Sequence, residues 1–229
     1  MPDESIPKAK LAIRPLDRSF FARPPRRVAR ELLGKVLVRT SNDGKPHLTA
    51  RIVEVEAYLG EKDPASHAYP GPTARNAVMF GPAGYAYVYF IYGNHYCLNV
   101  SCEQEGRAGA VLFRALEPLT GIDDMARARG ISIHHPHDPV DQDLDERELV
   151  KLTSGPGRLA EAFGVTRARD NGCDLTSPAS NLWIGADGCR VGIIRVTPRI
   201  GITKAADKPF RYILAGNLFV SGRKTHYKS

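Results

Sequence analysis

The stretch YAYVYFIYGNHYCLNVS (85–101) decides the fold. Its first half is dense in aromatic and β-branched residues, which suit a pleated, half-buried strand. Gly93-Asn94 interrupts the run and HYCLNVS resumes it. Two strands joined across a Gly-Asn pair make a tight antiparallel hairpin. Upstream, KVLVR (35–39) and LTARIVEVEAY (48–58) form a second hairpin, with Asn42-Asp43-Gly44 as its turn. Downstream, AGAVLFRAL (108–116) reads as a strand, and WIG (183–185), CRVGIIRV (189–196) and RYILAG (211–216) as late strands. Helices lie between them. PPRRVARELLG (24–34) opens on prolines and closes on Gly34. Thr120 with Asp123 resembles a capping box for a helix through Arg129. Leu149–Phe163 reads as two short helices around Ser154-Gly155-Pro156-Gly157, whose turn offers either a plain helix start or backbone N–H groups for a phosphate. Strands in hairpin order with inserted helices, rather than alternating βαβ units, predict an α+β fold. The expected form is a single mixed domain over 13–229 with an antiparallel-rich curved β-sheet core, surrounding helices and a protruding β-hairpin. A flexible tail over 1–12 and an exposed loop over 131–147 complete it.

Composition narrows the function. The formal net charge is +7 and the pI about 9.3, a balance that favours an anionic partner. Acids crowd into DPVDQDLDERE (138–148), so the rest of the chain is more basic than the total. Arginines gather between Arg14 and Arg30, and cations again between Lys204 and Lys228. No apolar run approaches a membrane span, and the N-terminus has no apolar core of a signal peptide. A cytoplasmic protein, nucleoid-associated in a bacterium, is expected. Cys97, Cys102, Cys173 and Cys189 make no C-x-x-C pair, so reduced and mostly buried thiols are expected. His134, His135 and His137 stand in a Pro- and Asp-rich stretch without a second ligand motif and read as solvated loop. No metal and no cofactor is expected.

Three features carry candidate chemistry. Glu54 and Glu56 alternate in an apolar strand, so both point to one face with Ile52, while Val53, Val55 and Ala57 point to the other. An acid in such a strand is solvated, paired or functional. Solvent exposure is the plain alternative, but Tyr58 at the strand end and His67 just beyond make a cleft there. Tyr92 abuts the hairpin turn: it packs on a neighbouring loop or serves as a wedge that enters DNA and fills the gap left by an extruded base. Tyr85, Tyr87, Tyr89 and Ile91 form one strand face, either core or an aromatic wall for a base.

RIVEVEAYLG (51–60), His67, TARNAVMF (73–80), YVYFIYGNHYCLNVS (87–101), VLFRALEPL (111–119) and LTSGPGRL (152–159) together resemble the alkyladenine (3-methyladenine) DNA glycosylase family. The likeness runs in order from Leu16 to the C-terminus, and RIGITKAADKPFRYILAGNLFVSG (199–222) resembles the family's closing segment. It implies a monofunctional enzyme that flips damaged purines from double-stranded DNA, hydrolyses the N-glycosidic bond and leaves an abasic site. It implies Glu56 as the general base on the attacking water and Arg114 beside that water. Tyr58, His67 and Tyr89 then surround the flipped base, and Asn99 at the pocket floor disfavours normal guanine. Leu112 lines the pocket and Tyr92 is the intercalating wedge. A monomer suits DNA scanning, and no membrane partner is implied.

Two other classes fit parts of the chain. A nucleic-acid-binding module would have no use for Glu56, since a carboxylate facing the groove is repelled. A small-molecule nucleosidase would use Glu56 and an aromatic pocket, but not a hairpin-tip tyrosine or a basic face. A helix-hairpin-helix glycosylase is disfavoured by the absence of a Leu-x-Gly-x-Gly stretch.

Overall fold

The computed structural model describes residues 12–41, 43–91, 93, 95–132 and 146–222. The N-terminal tail up to Leu11, Tyr92 and Asn94 of the hairpin tip, the histidines at 134, 135 and 137, and the terminal cations Arg223, Lys224 and Lys228 lie outside the described residues.

Among the described residues nine strands form one sheet: β1 (Arg14–Pro15), β2 (Val36–Thr40), β3 (Pro46–Tyr58), β4 (Ala86–Ile91), β5 (His95–Ser101), β6 (Ala110–Thr120), β7 (Leu182–Ala186), β8 (Ile194–Thr197) and β9 (Arg211–Leu214). The order is β1-β7-β2-β3-β6-β5-β4, and every pairing is antiparallel. The α+β reading holds, with a curved half-barrel sheet. Strand β3 explains the curvature. Its first half pairs with β2 up to Arg51, and the same edge then takes β9 from Glu54 to Glu56, with β8 beyond.

The helices are α1 (Arg18–Phe21), α2 (Pro25–Leu32), α3 (Ile122–Ala128), α4 (Glu146–Thr153), α5 (Pro156–Ala162) and α6 (Arg167–Asp170). Helix α2 begins with Pro25 at its first position, where a missing N–H costs nothing. Its Val28, Ala29 and Leu32 enter the main core with Met125 of α3, Leu152 of α4 and Leu159 of α5. The sheet contributes Ile52, Val55, Ala57, Val88, Leu98, Val100, Val111, Phe113 and Leu116 to that core. The helices therefore take one face of β3-β6-β5-β4 and leave the other free for a site.

Several expectations need correction. Ile52 packs in the main core with Val55 and Ala57, not on the face of Glu54 and Glu56. Val53 has no partner on β6, so a bulge there breaks strict alternation. Neither glutamate is solvated; both are fully buried. Thr120 does not cap α3: Gly121 does, at φ 75°, without a side-chain bond. The Thr120 hydroxyl instead pairs with Thr49 Oγ1 at 2.9 Å, a contact between facing strands that outcompetes the local cap. Tyr85 leaves the aromatic row; it pairs with Asp174 and lies under the Arg18 guanidinium, 4.8 Å from the ring centre. Helix α4 starts at Glu146, inside the segment expected as loop.

Candidate active site

The free face of the sheet carries a line of side chains fixed by register. Glu56 on β3 faces Leu112 on β6, Leu112 faces Asn99 on β5, and Asn99 faces Tyr87 on β4. Directly paired residues point the same way, so these four span the sheet in one row about 14 Å long, at about 4.8 Å per strand. Tyr89 pairs with Cys97 in the next row. Over these rows lies a cavity of about 460 Å³, within the size range of small-molecule sites. Tyr58, His67, Tyr87, Tyr89, Asn99, Leu112 and Arg114 all line it.

Glu56 itself lies one layer behind the wall. Its Oε1 accepts the Ile200 N–H at 2.8 Å and lies 3.3 Å from Arg114 Nη1. Its Oε2 accepts the Tyr58 hydroxyl at 2.9 Å. Tyr58, Arg114 and Ile200 all line the cavity, so the carboxylate is reached through its own donors. Burial and the adjacent Glu56 carboxylate both push the Tyr58 phenol upward, which keeps it a proton donor. Burial opposes the Arg114 charge, but Glu56 and Glu54 outweigh it and hold the guanidinium above its ordinary value.

A second bulge aims Arg114. Core positions on β6 jump from Phe113 to Leu116, and Arg114 is the residue without a partner on β3. Its carbonyl accepts the Gly155 N–H at 2.9 Å, so that N–H is committed to the protein rather than to a phosphate. Its Nε donates to Glu54 Oε1 at 2.9 Å. Glu54 also accepts from Arg211 Nε, Ser221 N–H and the Ser221 hydroxyl. A carboxylate with four donors and no exposure is occupied structurally. Of the two glutamates, Glu56 is the one whose donors Tyr58, Arg114 and Ile200 all line the cavity; Glu54 shares Arg114 with it, but its other donors, Arg211 and Ser221, do not.

The rest of the pocket is aromatic. His67 Nδ1 lies 2.9 Å from the Tyr87 hydroxyl, and its ring meets Tyr89 edge-on at 4.5 Å. Partial loss of hydration against these rings, and then the Arg75 charge, press the His67 pKa below its ordinary 6.5. The TARN segment holds His67 in place: Asn76 donates to the carbonyls of His67 and Gly71 and accepts the Thr73 N–H. Asn99 donates its amide N–H to the Tyr87 carbonyl at 3.0 Å.

The structure thus brings together Glu56, Arg114, Tyr58, His67, Tyr89, Asn99 and Leu112; Tyr92 lies outside the described residues. Sequence reasoning missed Arg199, Asp63, Ile200 and the rim residues His95 and Arg158. Tyr87 was within reach of simple alternation with Tyr89. No group of three or more His, Cys, Asp or Glu among the described residues could hold a metal ion. No helix among them is long and apolar enough to cross a membrane.

A family model described as Methylpurine-DNA glycosylase (MPG) matches residues 19–218. A protein of Koribacter versatilis, provisionally named 3-methyladenine DNA glycosylase, is 56% identical over 96% of this chain and 99% of its own length. A protein of Rhodopseudomonas palustris with the same provisional name is 48% identical over 90% of each chain. One of Methanoculleus marisnigri, again so named, is 44% identical over 91% of this chain and 99% of its own. With its family model matched across the sheet and the cavity, the chain belongs to the methylpurine-DNA glycosylase family and is a DNA-repair glycosylase, a hydrolase of N-glycosyl bonds.

Proposed function

We propose that this chain flips alkylated purines out of double-stranded DNA into the cavity and hydrolyses the glycosidic bond there, leaving an abasic site. The observation that carries the reading is Glu56, a buried carboxylate held by three donors that themselves form the cavity wall. A purine methylated at N3 or N7 bears positive charge, which weakens the bond from N9 to the sugar. As that bond breaks, its electron pair returns to the base, which leaves neutral. Water adds to C1′ and gives its proton to Glu56. Positive charge developing on the sugar is stabilised by the same carboxylate. Arg114 holds the water, and Tyr58 and Tyr89 stack on the base, each cation contact contributing about 0.5–2 kcal/mol.

His67 and Leu112 close the pocket around the base, and Asn99 disfavours the exocyclic amine of guanine. Tyr92 fills the gap in the duplex, offsetting part of an extrusion cost of a few kcal/mol. The chain works as a monomer, in the cytoplasm beside chromosomal DNA. No lysine nucleophile is required, so no Schiff base forms.

The test is base release from duplex DNA carrying methylated purines, with wild type beside Glu56→Gln and Tyr92→Ala. Wild-type release that disappears with Glu56→Gln and weakens with Tyr92→Ala supports both roles. A folded wild-type protein that releases nothing overturns the reading. Equal release from free nucleosides makes the chain a nucleosidase instead.

A further inference from the structure

We infer that Arg199, clamped by Asp63, is a positioning residue that locks two of the three donors onto Glu56; this rests on Glu56 acting as the base. Arg199 is fully buried at its side chain, and so is Asp63. Its Nη1 and Nη2 grip the two Asp63 oxygens at 2.5 and 2.9 Å. Nη1 also donates to the Ala57 carbonyl, between Glu56 and Tyr58, at 3.0 Å. The guanidinium lies over the Tyr58 ring at 4.6 Å and over Phe210 at 5.2 Å. The very next residue, Ile200, gives its N–H to Glu56 Oε1. One arginine therefore fixes the ring whose hydroxyl holds Oε2 and the backbone whose N–H holds Oε1.

The anchor reaches further. Asp63 accepts the N–H groups of Leu59 and Ala65. That ties down the loop running from Tyr58 to the pocket residues Ala65, Ser66 and His67. A guanidinium suits this place because its planar fork meets a carboxylate with two bonds while its face stacks on an aromatic ring. Surface attachment does not account for the pair, since burying both charges is costly and the ion pair spans 136 positions of sequence. Three pocket parts meet at this pair: the 198–202 segment, the Tyr58 wall and the His67 loop.

The charged and titratable groups around Glu56 come from every neighbouring element. They are Glu54 and Tyr58 on β3, Arg114 on β6, Cys97 on β5, Arg211 on β9, and Arg199 with Asp63 behind Tyr58. Arg114 and Glu54 hold each other without help from Arg199. Losing Arg199 thus removes the order of Tyr58 and Ile200 but keeps Arg114 in place. The chemical step should then suffer while DNA binding does not.

The variants are Arg199→Lys, Arg199→Met, and Arg199→Met combined with Asp63→Asn. The double variant removes both buried charges, so it folds even where the single one leaves Asp63 unpaired and fails. Each is measured by thermal melting, by affinity for methylated duplex DNA, and by single-turnover base release. The expected result is a folded double variant that binds DNA normally but releases base about 10²-fold more slowly. Arg199→Lys, which keeps the charge, falls between it and wild type. A folded double variant with a wild-type rate overturns the inference. So does a DNA affinity lost in step with the rate, with no partial recovery in Arg199→Lys, which marks a purely structural role. Either result leaves the Glu56 reading standing if Glu56→Gln is inert, whereas a wild type that releases no base overturns both.

Discussion

Single groups around Glu56 should separate binding from chemistry. Tyr58→Phe keeps the stacking ring and deletes the hydroxyl on Oε2. A hydrogen bond to a charged group contributes about 1.5–3 kcal/mol. Lesion-DNA affinity is therefore expected to hold while single-turnover release falls about 10- to 100-fold; an equal loss in both would make the ring the important part. Asn99→Ala removes a polar group from the pocket floor, and release of normal guanine is expected to rise by about tenfold. That is read as guanine freed from undamaged DNA. Asp63→Asn probes stability. Burial raises the Asp63 pKa, but Arg199 outweighs it, so the folded value lies below the ordinary 3.8. A depressed carboxylate contributes stability above its unfolded pKa and loses it as pH falls through the folded one. The variant should lose about 3–5 kcal/mol near neutrality, as a buried charge left unpaired does. Its melting temperature should also drop less than wild type's as the pH falls below 3.8. Legibility differed sharply among these residues. Glu56 and Tyr58 stand two apart on one strand face, and a local pattern displays them. Arg199 and Asp63 are 136 positions apart, and no linear periodicity couples them; only folding does.

At the scale of elements, most strands and helix limits were readable because each obeys a local rule: alternation, a proline at a helix start, a glycine at its end; the strand expected over 189–196 forms only at Ile194–Thr197, and the short β1 gave no such signal. What the pattern could not display is where alternation fails. The unpaired Val53 and Arg114 flank the Glu54–Ala115 pair of the β3–β6 ladder, one on each strand. Together they shift the core from Ile52 to Val55 and from Phe113 to Leu116. Ile52 and Leu116 thereby join the core, where a strict two-residue period from Val55 and Phe113 leaves them on the face of Glu54 and Arg114. Bulges store such re-aiming in backbone pairing, and pairing partners are not written in a strand's own sequence. The loop after β3 depends on backbone in a different way. Gly60 has φ 62°, and a Cβ there would lie 2.1 Å from the Ala108 carbonyl oxygen. Gly60→Ala meets both a left-handed backbone costing about 1–2 kcal/mol and a clash with main chain that has little room to move. Urea unfolding is expected to place the variant more than about 2 kcal/mol below wild type. Because Gly60 leads directly to Asp63, release activity should fall more than Arg39-side substitutions of equal stability cost would produce. Loss of stability alone, with normal release by the folded fraction, would disconnect this turn from the site.

The whole molecule separates its charges into two populations. Among the described residues, buried arginines 39, 114, 199 and 211 face buried Asp170, Glu54, Glu56 and Asp63, four cations against four carboxylates. They cancel, so the entire formal excess of +7 belongs to the remainder of the chain. That excess is what a polyanion meets first, and composition alone made it legible. Its placement was not, because clusters in sequence need not be clusters in space. At the cavity the exposed cation on the wall is Arg158 of α5, with Arg75 over the Tyr89 ring at 5.8 Å. A phosphate contact and a base contact leave different signatures. Each neutralised phosphate releases a counterion, so log K falls with log salt by about 0.9 per contact. With about six to ten contacts, affinity drops by about 10³- to 10⁵-fold between about 50 and 200 mM salt. Arg158→Ala should weaken binding to damaged and undamaged duplex alike and reduce that slope by about one. Release at saturating enzyme should stay near wild type, because among the described residues the Arg158 guanidinium bonds the Ser154 carbonyl and neither Glu56 nor Arg114. An unchanged slope would mean that Arg158 faces the base rather than the backbone, and selectivity among bases would then be the property that moves.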